Sequence, residues 1–73
     1  MRVLCVGSYD HFGEAIEASH FHVTERVYRR GEAFDAVLVA CREEEVLAKK
    51  RHYLYPNKPF FVYRIPEHSP EIA

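Results

Sequence analysis

Three apolar runs limit what this chain can fold into more than any other feature. Val3-Leu4-Cys5-Val6 ends at Gly7-Ser8, Ala36-Val37-Leu38-Val39-Ala40 lies mid-chain, and Phe60 to Ile65 sits between Pro59 and Pro66. A strand with one wet face alternates apolar and polar residues, whereas a run apolar at successive positions is covered on both faces. Such strands belong to parallel sheets with helices packed against them. The runs therefore point to an α/β fold.

The segments between the runs supply the helices. Asp10 is placed to cap a helix from about His11 to Ser19, with Phe12, Ala15, Ile16 and Ser19 on one face. Gly13 weakens it. A second helix is expected from Arg42 to about Tyr53. Its acids Glu43-Glu44-Glu45 open it and its bases Lys49-Lys50-Arg51-His52 close it, the order a helix dipole favours. Val46, Leu47, Tyr53 and Leu54 are expected on its inner face, and Pro56-Asn57 stops it. From His22 to Tyr28 the chain alternates, with Phe21, Val23 and Val27 opposite His22, Thr24 and Arg26, which reads as an edge strand. Arg29-Arg30-Gly31-Glu32 reads as a turn.

The order is then β-α-β-β-α-β, a small, mostly parallel four-stranded sheet with two helices and a strand order of 2-1-3-4. About six residues join the second and third strands, whereas a parallel crossover usually takes a dozen or more. Either a helix has been replaced by a bare loop, which we favour, or these two strands form an antiparallel hairpin. Residues 1–66 form one α/β domain in this reading, and residues 67–73 a flexible tail.

Composition narrows the function. At 73 residues, a chain buries only about 60% of its unfolded surface, so partners commonly help such domains. The net charge of −1 gives no global field toward nucleic acid or an anionic membrane. No apolar run approaches the roughly 20 residues of a membrane span. Cys5 and Cys41 are the only cysteines and lie in apolar runs; with no signal-like start, the cytoplasm is the expected compartment.

The strands Arg2-Val3-Leu4-Cys5-Val6, Phe34-Asp35-Ala36-Val37-Leu38-Val39 and Pro59-Phe60-Phe61-Val62 resemble those of a reduced response-regulator receiver domain, a flavodoxin-like fold. The resemblance covers about two thirds of the chain and rests on hydrophobic pattern. It implies an acid pair after the first strand, where Gly7 and Ser8 stand here. It implies a phosphoacceptor aspartate near Ala40 and a hydroxyl residue near Arg64. Phosphoryl transfer needs an acid-held metal and a nucleophile, so the resemblance implies a degenerate receiver without that chemistry.

Other motifs are weaker. Gly7-Ser8-Tyr9-Asp10-His11-Phe12-Gly13 lies beyond the carboxyl end of a strand, where α/β proteins bind ligands. Gly7, Ser8, Asp10, His11 and Gly13 are thus a candidate ligand turn, weighed against a plain strand-to-helix turn. The segment is similar to the opening G-x-F-D of nucleotidyltransferases but lacks their H-x-G-H. It lacks the hydroxyls of a flavodoxin phosphate loop and the Lys of a Walker loop. Cys5 is similar in place to the phosphocysteine of sugar-phosphotransferase B components, but it falls mid-strand and reads as a core thiol. Cys41 precedes a helix start, which lowers a thiol pKa; Glu43, Glu44 and Glu45 oppose that. His20 and His22 form an H-x-H pair near His11, short of a convincing metal set. Lys49, Lys50 and Arg51, with Tyr53 and Tyr55, form a candidate basic patch for nucleic acid, set against a solvated helix end.

No catalytic residue, cofactor or metal ligand is expected. The expected function is a non-catalytic protein-interaction or regulatory module acting through self-association, as a homodimer, or through a protein partner. Phe60, Phe61, Val62 and Tyr63 with Tyr53 and Tyr55 are the candidate interface, because one helix layer cannot cover both faces of an apolar edge strand. A small-ligand or nucleotide site in the Gly7–Gly13 turn and nucleic-acid binding through the basic helix end are the alternatives.

Overall fold

The computed structural model describes residues 1–27 and 31–66. Tyr28, Arg29, Arg30 and the expected tail at 67–73 lie outside the described residues. The strands are β1 (Arg2–Gly7), β2 (Glu25–Val27), β3 (Ala36–Cys41) and β4 (Phe60–Arg64). The helices are α1 (Phe12–Ser19) and α2 (Val46–Tyr53), each preceded by a 3-10 turn, Tyr9–His11 and Glu43–Glu45. The sheet has the expected order β2-β1-β3-β4, and every neighbouring pair is parallel.

The antiparallel hairpin is thereby excluded, since β2 and β3 flank β1 on opposite sides. The bare-loop reading accounts for the connection: its described residues, Gly31 to Asp35, carry no helix. Its far end is pinned to β1. Asp35 N–H donates to the Arg2 carbonyl at 2.7 Å, and Arg2 N–H donates to Asp35 Oδ2 at 3.0 Å.

Two apolar layers sandwich the sheet. On one face α1 places Phe12, Ala15 and Ile16 over Val3, Cys5, Leu38 and Ala40, with Phe61 and Tyr63 of β4 packed alongside. On the other face Val46 and Tyr53 of α2 join Leu4, Val27, Val37, Val39 and Cys41, with Phe60 and Val62 alongside. β3 lies at the centre and every residue of it is buried. The alternation of faces along β1, β3 and β4 is the period-2 geometry of a strand.

Four local expectations are corrected. Asp10 caps nothing: His11 N–H donates to the Ser8 carbonyl at 3.1 Å, so the chain makes a 3-10 turn and α1 starts at Phe12 without a side-chain cap. Among the described residues the alternating segment forms a strand over Glu25–Val27, and His22 to Thr24 lie outside it. A bend at Thr24 breaks the pattern, so Phe21 and Val23 pack on the α1 face while Val27 packs on the α2 face. α2 starts at Val46, not Arg42; the chain first turns with Arg42 N–H donating to Glu45 Oε1 at 3.1 Å. Leu47 and Leu54 are not inner residues. They stand 62% and 55% exposed, and Val46 and Tyr53, two turns apart, carry the packing instead.

Candidate functional site

The outer edge of β4 follows from its register on β3. Val37 pairs with Phe60, and Val37 N–H donates to the Pro59 carbonyl at 2.9 Å. At the other end Ile65 N–H donates to the Cys41 carbonyl at 2.9 Å. In a parallel ladder a residue bonds to the two neighbours of the residue opposite it. The odd-numbered residues of β4 thus turn their backbone groups to β3. The backbone N–H and C=O of Phe60, Val62 and Arg64 face away from the sheet. Among the described residues no strand pairs with that edge.

The side chains of β4 are more covered than expected. Because α1 and α2 lie on opposite faces, Phe61 and Tyr63 meet one layer and Phe60 and Val62 the other; all four are half-buried. Phe61 stacks on Phe21 with ring centroids 4.5 Å apart. Tyr55 packs edge-on to Phe34 at 5.2 Å, and Tyr53 is half-buried in the α2 layer. What this strand offers is therefore a backbone edge flanked by half-buried aromatics, rather than an open apolar face. The opposite edge differs. In its described residues β2 spans Glu25–Val27 and carries Glu25, which is ion-paired with Arg2, and a charged edge is a common guard against strand addition.

The ligand-turn residues differ in their surroundings. Gly7, Ser8, Asp10 and Gly13 are exposed. Gly7 is explained by the sheet instead. At φ +132° it lies against β3, and a Cβ there would stand 2.2 Å from the Ala40 carbonyl oxygen. Gly13 has open space around its Cβ position. Within the turn, His11 lines a cleft of about 370 Å³ together with Glu14, Tyr63, Ile65 and Pro66. A shallower depression of about 430 Å³ adjoins it, sharing Glu14 and Tyr63 and adding Glu17, Ala18 and His20. Glu14 is the hub that the sequence reading missed. Its Oε2 lies 3.3 Å from His11 Nδ1 and accepts from Tyr63 OH at 3.4 Å. Partial burial, with the Glu14 charge and hydrogen bond, raises the Tyr63 phenol above its ordinary pKa. The i, i+3 spacing of His11 and Glu14 on a helix was the available signal.

The remaining candidates are scattered. Lys50 and Arg51 are exposed and Lys49 half-buried, in the helix α2 that follows the acidic turn Glu43–Glu45. His20 and His22 are exposed, and among the described residues no group of three or more His, Cys, Asp or Glu side chains is placed to hold a metal ion. Cys5 and Cys41 are both buried free thiols. Burial raises both pKa values, against Arg26 for Cys5; for Cys41 Glu45 adds to the rise, and Lys49 and Arg64 oppose it. No described helix is long and apolar enough to cross a membrane. No protein-family model matches the chain, and no match to it was found among curated proteins or solved structures.

Proposed function

We propose that this chain is a non-catalytic association module that works by accepting a strand of another chain on the outer edge of β4. The observation that carries this reading is the row of outward backbone groups on Phe60, Val62 and Arg64, set in a strand whose only charge is Arg64. Main-chain hydrogen bonds supply the affinity in such strand addition, and alternate side chains supply the choice of partner. The receiver resemblance supports it. Flavodoxin-like sheets run 2-1-3-4-5, and the position beyond β4 is where a fifth strand stands in them. The sheet pairs Gly7 with Ala40, two of the positions at which that resemblance expects acids. That supports a role without phosphoryl transfer.

The test is affinity capture from the native host with wild type and Val62→Pro as baits, the fold of each checked by circular dichroism. Proline removes one outward N–H and is tolerated at sheet edges. Phe61→Lys is a poorer probe because it would break the stack on Phe21. Captured chains, including further copies of the bait, should be lost from Val62→Pro. Equal capture by both baits overturns the reading.

A further inference from the structure

We infer that the occupant of the β4 edge is a second copy of this chain, paired antiparallel about a two-fold axis through Val62. This rests on the association reading above and names its partner. In an antiparallel ladder, residues directly opposite whose groups face each other exchange both hydrogen bonds. The outward residues are Phe60, Val62 and Arg64, a set symmetric about Val62. With Val62 opposite its own mate, Phe60 lies opposite the second Arg64 and Arg64 opposite the second Phe60. Every outward N–H and C=O on both strands then has a partner.

Other registers do worse. A one-residue slip sets outward residues against ones turned to β3. A two-residue slip one way sets Phe60 against Pro66, which has no N–H. A slip the other way sets Arg64 against Lys58, whose N–H already donates to the Tyr55 carbonyl at 3.4 Å. Parallel pairing requires outward residues on one strand to lie between those of the other, so two identical edges cannot meet residue for residue.

The side chains agree with the same register. On the α1 face it brings Phe61 opposite the second copy's Tyr63, twice, and aromatic pairs are favourable across strands. On the α2 face it brings Arg64 beside the second Phe60 ring, a cation–π arrangement, while Arg64 keeps its partner Glu43. The two Arg64 charges are kept apart. The two-fold contact also closes on itself, leaving only the short, charged β2 strands as edges.

Disulfide trapping tests the register. Directly opposed residues have Cα atoms about 5.5 Å apart, within disulfide range, and the native thiols are buried. Mild oxidation of Val62→Cys should give a covalent dimer. Phe60→Cys alone should not, because its mate would lie about 13 Å away along the strand, four residues at roughly 3.3 Å each. Phe60→Cys mixed with Arg64→Cys should give the mixed dimer. A folded Val62→Cys that stays monomeric at hundreds of micromolar, or equal trapping of Phe60→Cys with itself, overturns the inference.

Hydrogen exchange on the unaltered chain gives a second readout. The amides of Phe60, Val62 and Arg64 should slow at least tenfold with rising protein concentration, while those of Phe61 and Tyr63 are protected throughout. Concentration-independent exchange at the three outward amides overturns self-pairing. If those amides are then protected only by a captured protein, the edge reading stands and this inference alone falls.

Discussion

Replacing Gly7 by alanine tests how β1 and β3 are held together. Gly7 has φ +132°, a region that residues with a Cβ rarely enter. An alanine Cβ would meet the Ala40 carbonyl oxygen at 2.2 Å and its carbon at 3.1 Å. Reaching even 3.0 Å from that oxygen means parting the atoms by 0.8 Å (3.0 minus 2.2). Ala40 cannot yield easily, because β3 is buried along its whole length and paired on both sides. The strained dihedral costs about 1–3 kcal/mol, and loosening the last rung of the ladder costs roughly 1 kcal/mol per hydrogen bond. The total is about 3 kcal/mol, against roughly 4–11 kcal/mol expected for a domain of this length.

Urea unfolding followed by circular dichroism measures the loss directly, and a thermal melt should fall by roughly 12–24 °C. A loss below about 1 kcal/mol would refute the argument. It would mean that the end of β1 at Gly7 relaxes freely, and that this glycine is not needed for the sheet. A ligand-cradling glycine would behave in that way, losing binding while keeping stability.

The same change at Gly13 should act in the opposite direction. With nothing within 4 Å of its Cβ position, Gly13→Ala removes unfolded-state entropy and should raise stability by about 0.5–1 kcal/mol; a lower urea midpoint would contradict this. Cys5 and Cys41 should react slowly with a thiol reagent in the native state and fast in denaturant, and rapid native labelling of Cys41 would count against its burial. Both thiol pKa values are raised in the fold, so the unfolded chain ionises first. Their stabilisation is complete below the unfolded pKa of about 8.5 and is lost as pH rises through the folded values. The urea midpoint should therefore fall above about pH 8.5, and less steeply in Cys5→Ala; an unchanged slope would contradict the assignment. Incubation with acetyl phosphate and magnesium should leave the intact mass unchanged, and a gain of roughly 80 Da, one phosphoryl group, would restore receiver chemistry.

The sheet was legible because its information is local. A run such as Ala36 to Ala40 is covered on both faces by helices packed on a parallel sheet, and the alternating segment was set at an edge. The helices were legible in place but not in rotation. Val46, Leu47, Tyr53 and Leu54 occupy neighbouring helical positions two turns apart, and periodicity alone cannot choose between the Val46–Tyr53 and Leu47–Leu54 stripes. The charge order at the helix ends places its axis and says nothing of its face. The alternation from His22 to Tyr28 misled for a related reason. Phe21 and Val23 are loop anchors on the α1 layer, and two apolar anchors at i, i+2 look like a strand in any window.

The candidate site was half legible. That β4 is apolar on both faces can be read from Phe60-Phe61-Val62-Tyr63, but which backbone groups point outward depends on its register against β3. A one-residue slip would exchange every side chain between the two layers and turn Phe61 and Tyr63 outward instead. Long-range contacts flank the strand at both ends. Before β4, Lys58 Nζ donates to the Phe34 carbonyl at 2.8 Å and lies 4.8 Å from the Phe34 ring centroid. At its end, Arg64 pairs with Glu43, beyond the end of β3. Each contact joins residues more than twenty positions apart, so no local pattern announces them. The Glu14–Tyr63 hydrogen bond spans 49 positions and was missed for the same reason. With Val37 paired to Phe60, it is the backbone groups of Phe60, Val62 and Arg64 that the free edge of β4 presents.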